Sequence, residues 1–301
     1  DASLSIFASQ PLDGSLQPIA SWASGANLSL YAYSSFSVTG SSGGGGGSGG
    51  HTLVARYSFN NGSSFPQDSS GNGNNINSYI SFGGGSLAVT NDAKEGAYAI
   101  AFNNNSGAGA AYFSATNSGL LSAVTGNFSA SVWLKTTQVS GSDTDSGLYG
   151  NAAIMSTFSQ TLLPMALTGN KLTFVTHSSS LDSLHSASSV NTGGYVHVVV
   201  TRDQSTGQKK IYVNGLLDAS DVAETGTLGN PNSLIIGENS GSAVGYDGKL
   251  DDIQIYSGVL SASEVSQLYN NPGTTIANTT GGGTTVPFTF ITNKVMIIIT
   301  G

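Results

Sequence analysis

The sequence predicts an all-β protein, an antiparallel β-sandwich carrying one short helix near its C-terminal end. Two observations predict it. The stretch from Tyr195 to Tyr269 holds two strand-like runs, 195–202 and 209–214, joined by a polar turn containing Gly207, and Asn214-Gly215 follows at once. Asn-Gly is the strongest short hairpin signal, because both central residues of a type I′ turn need positive φ. Across the rest of the chain, short alternating runs are separated by turn residues with no helical periodicity between them. That pattern belongs to antiparallel sandwiches and barrels.

The elements follow in order. Residues 1–55 contain no Lys or Arg, and Asp1 and Asp13 are the only acids there. Within this segment, residues 3–8 and 27–38 alternate with period 2 and read as strands. Residues 40–50 (GSSGGGGGSGG) read as a flexible linker or, if ordered, as backbone packed closely against a neighbour. Residues 51–272 form the main domain, with strands expected at 53–59, 97–103, 127–136, 152–158, 171–177, 195–202, 209–214, 233–237 and 249–257. Its one expected helix spans 261–269. Ser261 and Glu264 have the spacing of a capping box, and Val265, Leu268 and Tyr269 share a face that would dock on the sandwich. In the last segment, 273–301, residues 286–291 and 295–300 read as a hairpin around Asn293-Lys294. Val295, Met296, Ile297, Ile298 and Ile299 are apolar on both faces and must be covered. Left at an exposed edge, such an uncharged, Pro-free strand would recruit other chains. The cover is either the N-terminal strands of the same chain or strands of a neighbouring subunit.

Composition narrows the function. Charged residues make up 9 % of the chain, against roughly 25 % in typical soluble domains, and 41 Gly stand among many Ser, Thr and Asn. A net charge of −8 with no Lys/Arg cluster argues against nucleic acid. No stretch approaches the length of a membrane-spanning helix. Without cysteine there is neither a disulfide nor a thiol nucleophile. Asp1 suits a mature chain whose leader has been removed. Asn-X-Ser/Thr sequons at Asn27, Asn61, Asn104, Asn127 and Asn278 favour an extracellular glycoprotein.

Several residue groups carry possible chemistry. Asp68, Asn72 and Asn74 cluster carboxylate and amide oxygens on a Gly-permitted turn (DSSGNGN), the ligand type that Ca²⁺ takes in shells of about six to eight oxygens. One carboxylate is too little charge, so a second must come from elsewhere. The four His (51, 177, 185, 197) show no HExxH or other metal-ligand spacing. The Gly-rich stretches lack the strand and helix context of a phosphate loop. Trp133, Phe128, Phe102 and Ile211 read as core, His197 as a packed histidine, and Tyr57, Phe59 and Tyr98 as alternating core positions.

The pieces LVARYSFNNGSSFPQDSSGNGNNI (53–76), GAYAIAFNN (96–104), FSASVWLKT (128–136), YVHVVVTRDQSTGQKKIYVNG (195–215), SLIIGENS and DGKLDDIQIYSGVLSASEVSQLY (233–269) together resemble the bacterial-type laminin-G-like, concanavalin A-like jelly-roll family. The resemblance covers about residues 52–272 and neither terminus. It implies a jelly roll of two packed antiparallel sheets. It also implies a structural Ca²⁺ site near Asp68 and Asp251, its second carboxylate coming from Asp251 or Asp252 of the LDD run, and it raises two possibilities, hydrolysis and glycan recognition. Laminarinase-type relatives place two catalytic Glu on one strand, and a retaining glycosidase needs its carboxyl groups about 5–5.5 Å apart. Here the only Glu are Glu95, Glu224, Glu238 and Glu264, no two within ten residues, so no enzyme is expected. Lectin-type sites pair an exposed aromatic with amides, a role open to Tyr149, Tyr246 and Asp247. Two functions follow as expectations. The first is a structural subunit of a surface or filamentous assembly, self-associating by β-strand addition through the uncharged ends. The alternative is a carbohydrate-binding or adhesion module.

Overall fold

A computed structural model describes residues 6–9, 16–20 and 50–279, apart from 64, 105–108, 142–150, 158–161, 178–180, 223 and 240–243. The chain divides into two compact units, residues 1–43 with 284–301, and residues 44–283. In the first, β1 (Ile6–Ser9) and β2 (Leu16–Ala20) form an antiparallel pair. The strand expected at 27–38, the glycines at 40–49, the hairpin at 286–300 and the run Val295 to Ile299 lie outside the described residues.

The second unit is a sandwich of two antiparallel sheets, as expected. The eight-stranded sheet runs β15 (Leu216–Val222), β14 (Gln208–Val213), β13 (Tyr195–Arg202), β8 (Phe128–Lys135), β17 (Gly248–Ser257), β6 (Ala99–Asn103) and β5 (Ser86–Thr90), with β3 (Thr52–Tyr57) also paired to β17. The seven-stranded sheet runs β12 (Leu181–Ser189), β11 (Lys171–His177), β10 (Leu162–Thr168), β9 (Ala152–Thr157), β16 (Leu234–Ile236), β7 (Ala110–Ala115) and β4 (Ser78–Phe82). Strand alternation builds the core between them. On β8, Phe128, Ala130, Val132 and Leu134 join the main cluster with Val196, Val198 and Val200 of β13 and Ile211 of β14.

The other face of the eight-stranded sheet has its own apolar layer. The helix α2 (Ala262–Asn270) lies over it, burying Val265 and Leu268 against Val199, Tyr212, Tyr256 and Leu260. The expected capping box is present: Ser261 Oγ accepts from Glu264 N, and Glu264 reaches back to Ser261 N. The Asn214-Gly215 turn is type I′-like, with φ of 50° and 80°, and pairs Val213 with Leu216. A Cβ on Gly215 would meet Tyr269 Cβ at 2.9 Å, so the turn also sets how closely the helix packs.

Strands β4, β5, β7, β10, β12 and β15 were not expected, and two further features depart from expectation. A second helix, α1 (Ser118–Ala123), is present, too short to show helical periodicity. Tyr98 is 38 % exposed rather than core, because it precedes β6 and its ring lies over Gly62.

Candidate functional site

At one end of the eight-stranded sheet, three neighbouring strands finish together around a polar pocket of about 240 Å³. Ala101–Asn103 of β6, Lys135 and the following Thr136 and Thr137, and Asp247, Gly248 and Lys249 leading into β17 line it, with Gly193 from the loop before β13. Phe102 forms an apolar base. It is 1 % exposed and meets Phe113 and Tyr246 edge-on, with ring centroids 5.9 and 6.0 Å away. Gly248 is required where it stands. A Cβ there would lie 2.5 Å from Lys135 O and 2.8 Å from Tyr246 Oη.

The walls are braced by side chains rather than left as loose loop. Thr136 Oγ1 donates to Asp247 O (2.5 Å), and Gly193 N donates to Thr136 O (2.9 Å). Gln138 accepts from Asp247 N (2.9 Å) and donates to Gly245 O (3.0 Å). Asn104 N donates to Asp247 Oδ1 (3.0 Å). Asn103 and Thr137 remain exposed, and Lys135 and Lys249 are about a third exposed.

The two lysines are direct register partners, Lys249 opposite Lys135. Like charges placed directly opposite repel. Asp92 resolves this by pairing with both, at 2.8 Å from Lys135 Nζ and in close contact with Lys249 Nζ. Those two hydrogen bonds hold the Asp92 carboxyl below the usual carboxylate range. Tyr195 Oη donates to Asp92 O (2.6 Å), and Lys135 Nζ lies 5.5 Å from the Tyr195 ring centroid.

The pocket thus offers hydroxyl, amide, ammonium and carboxylate groups on a rigid frame. A general acid needs a raised, reachable carboxyl. Asp92 is shifted the other way. Asp251 is pushed up to about 7 by burial, but it has no exposed surface. His197 is also buried, which pushes it down to about 3 and keeps it neutral.

The sequence-derived candidates fall elsewhere. Asp68 Oδ1 accepts from Arg56 N and Ser70 N (both 2.9 Å), and Oδ2 accepts from Asn74 N (2.8 Å). Asn72 and Asn74 donate to Val54 O, and Asn72 also donates to Leu53 O (2.7 Å). The 68–74 loop therefore serves as a polar bracket for β3. Asp251 Oδ2 accepts from Lys94 N and Glu95 N, and Oδ1 from Asp252 N. The donors to the two carboxylates are backbone amides of separate segments, Arg56, Ser70 and Asn74 for Asp68 and Lys94, Glu95 and Asp252 for Asp251. Among the described residues, no group of three or more His, Cys, Asp or Glu is placed to hold a metal. As arranged, the carboxylates of Asp68 and Asp251 are occupied by backbone amides.

Two expectations are corrected. Asn104 is 3 % exposed, its Oδ1 accepts from Ala111 N (2.8 Å), and its Nδ2 donates to Tyr246 O (2.9 Å), so a glycan there is incompatible with the fold. Asn61 and Asn278 are exposed and Asn127 is half-buried, while Asn27 lies outside the described residues. Tyr246 is not an exposed loop aromatic. It is fully buried, and burial pushes its hydroxyl well up. Tyr149 lies outside the described residues. Asp247 does line the pocket, whereas Asn103, Lys135, Thr136, Thr137 and Lys249 escaped the sequence reading. Two lysines ending strands in a chain with only 9 Lys and Arg were the available signal.

Comparison with known proteins places the domain. A family model described as the concanavalin A-like lectin/glucanases superfamily matches residues 105–266. No curated protein matches the sequence. Among solved structures, domain 4 of AbnA, a GH43 extracellular arabinanase from Geobacillus stearothermophilus, in complex with arabinotriose, aligns with a TM-score of 0.53 and 23 % identity. That alignment covers 73 % of this chain and 99 % of the domain. The binding domain of botulinum neurotoxin DC in complex with rat synaptotagmin II aligns at a TM-score of 0.54 and 13 % identity over 72 % of this chain and 51 % of its own. The binding domain of Paraclostridial Mosquitocidal Protein 1 aligns at 0.53 and 17 % over 72 % and 52 %. At these identities the likeness is one of fold.

Proposed function

The chain belongs to the concanavalin A-like lectin/glucanase superfamily, and from that premise we propose that it is a non-catalytic, extracellular glycan-binding module. The pocket at the ends of β6, β8 and β17 carries this reading. It sets exposed Asn103 and Thr137, half-buried Asp247 and the Lys135–Asp92–Lys249 trio on a braced frame, a group set that exchanges hydrogen bonds with sugar hydroxyls. The neighbour from an arabinanase holds arabinotriose, and the toxin neighbours are binding domains. The low charge, the exposed sequons at Asn61 and Asn278 and the absence of cysteine support an extracellular setting. Among the described residues, no helix is long and apolar enough to cross a membrane.

Calorimetric titration with a panel of neutral and acidic oligosaccharides, arabinotriose included, tests the proposal. The expected result is saturable binding by at least one sugar, weakened about tenfold by the double substitution Asn103→Ala, Thr137→Ala, the loss of about 1.4 kcal/mol that one or two hydrogen bonds supply. Both side chains are exposed, so the fold is spared. Binding that ignores this pair would move the site elsewhere, and no binding by any sugar would end the reading.

One observation favours the second reading, self-assembly into a surface or filamentous polymer. Strand β15 ends the eight-stranded sheet, and its Leu216, Leu217 and Val222 are 73 %, 54 % and 68 % exposed. Such exposed apolar side chains on an edge strand favour β-augmentation, although Asp218 of this strand already accepts from Ala187 N and Ser188 N, and Val295 to Ile299 of a second copy is the matching uncharged segment.

A further inference from the structure

The sandwich interior holds a lysine that glycan binding does not use. Lys209 has the parity of Ile211 and Val213 on β14, so it points between the sheets, and it has no exposed surface. Its side chain crosses to the seven-stranded sheet. There Nζ donates to Asp182 O (2.9 Å) and Phe174 O (3.5 Å), and lies 5.2 Å from the Phe174 ring centroid. Against it lies Asp182 Oδ1, an oxygen shut off from solvent although the side chain as a whole is 23 % exposed.

We propose that Lys209 and Asp182 condense to an intramolecular amide, a covalent staple between β14 of one sheet and β12 of the other. The groups are those the reaction needs, an amine and a carboxyl held in contact. The reaction is balanced within the pair. A proton passes from the ammonium to the carboxylate, giving a neutral amine and a carboxylic acid. Nζ then attacks Cγ, the C–OH bond breaks, and the hydroxyl leaves as water with the second amine proton. No oxidant, activating nucleotide or partner enters.

Three features drive it forward. Burial pushes the Lys209 amine down despite the opposing Asp182 and Asp221 carboxylates, which favours the neutral, nucleophilic form. A buried ion pair recovers little of its desolvation cost, so exchanging two charges for a neutral amide is favoured in this interior. Fixed contact gives effective molarities of about 10⁵–10⁸ M in well-oriented systems, far above the concentration of the water that would reverse the step. The partly exposed Asp182 side chain supplies an exit for the departing water. In a chain without cysteine, this staple would do the work of a disulfide.

The test is the mass of the full-length chain, made in a host that adds no glycans and denatured so that ion pairs are gone. The expected mass is one water below the sequence value, proteolysis yields a branched peptide joining Asp182 to Lys209, and Asp182→Ala returns the chain to its sequence mass. A chain at full sequence mass overturns the proposal. So does a water loss mapped elsewhere, such as a succinimide at Asp247-Gly248. If Asp182→Ala does not fold, the mass and peptide map of the unsubstituted chain decide the question alone.

Discussion

Asp251, Trp133 and His197 are register partners across three adjacent strands, and they share the outer face of the eight-stranded sheet. Lys94 ties the row together. Its amide donates to Asp251 Oδ2 (2.8 Å), its Nζ lies 4.2 Å from the Trp133 ring centroid, and its charge adds to the burial that keeps His197 neutral. The consequence is a pair of opposed titrations. Burial raises the Asp251 carboxyl from 3.8 to about 7, so between those values the folded chain holds a proton that the unfolded chain has lost. Stability from this group therefore grows as pH falls through that window. His197 is lowered from 6.5 to about 3, so there the unfolded chain takes a proton that the folded one refuses, and stability falls as pH drops. The two slopes nearly cancel. Urea unfolding of the native chain between pH 7 and pH 4.5 is expected to show little pH dependence, bounded at the acid end by Asp92 and Asp203, whose lowered carboxyls lose their contribution below the usual carboxylate range. Asp251→Asn exposes the His197 slope, so that variant weakens on acidification, and His197→Gln exposes the opposite slope and strengthens. The sign of the slope is the readout, whatever either substitution costs at neutral pH. Two variants that keep the native slope would disprove the assignment.

Strand β17 shows what an element does that its residues do not announce. It pairs β6 through Gly248, Lys249 and Leu250, then β3 from Ile253 onward, and its register with β8 shifts between Asp251 and Gln254. At the changeover Asp252 adopts φ of 44° and is buried. Its Oδ1 accepts from Arg56 Nε (2.7 Å), and its Oδ2 accepts from Gln254 Nε2 (2.9 Å) and Gly273 N (3.3 Å). The LDD run is thus the hinge at which one strand serves two neighbours, and Asp252 rather than Asp251 ties β17 to β3. Replacing Asp252 with Ala is expected to cost about 3 kcal/mol, because it leaves a largely buried guanidinium with only the 3.8 Å contact to Glu95 and puts a strained φ on a residue that tolerates it poorly. Asp252→Asn, which adopts positive φ readily and keeps an acceptor, should cost less than half as much. Equal losses in urea titrations would show that the ion pair is not what holds the changeover. Pattern alone showed which elements were legible. β8, β11, β13, β14, β17 and α2 carry alternation, an Asn-Gly turn or a capping box, and all were readable. β10 was hidden by Pro164, which sits at a register shift where a missing amide does no harm. β12 and β15 are edge strands with Ser and Asp on their open faces, and such sequences look like loop.

At the scale of the molecule, the laminin-G-like fold was legible because its signals repeat along the chain, whereas the pocket was not, because it is made where β6, β8 and β17 end together. No local motif encodes that meeting; it depends on Lys135 facing Lys249 and on Asp92 arriving from a distant loop. The same holds for the closure of the domain. His51 N donates to Thr279 Oγ1 (3.1 Å), Thr279 N donates to His51 O (2.8 Å), and Leu53 N donates to Asn278 Oδ1 (2.8 Å). The segment after α2 thereby fastens to the start of β3, and the unit 44–283 contains both halves of its own clasp. Expressed alone, residues 44–283 should melt within a few degrees of the full chain's transition for this domain, since a loss of about 1 kcal/mol moves the midpoint of a domain this size by only about 2–4 °C. They should also keep whatever sugar binding the full chain has. The comparison separates the two functional readings. If the ends drive assembly, the full chain sediments as a polymer at micromolar concentration while residues 44–283 remain monomeric. If both sediment as monomers and bind sugar equally, assembly through Val295 to Ile299 is excluded and the pocket accounts for function. If residues 44–283 still polymerise, the exposed edge of β15 can join subunits by itself, and a charge placed there, Leu217→Lys, should then dissolve the polymer without lowering the melting temperature.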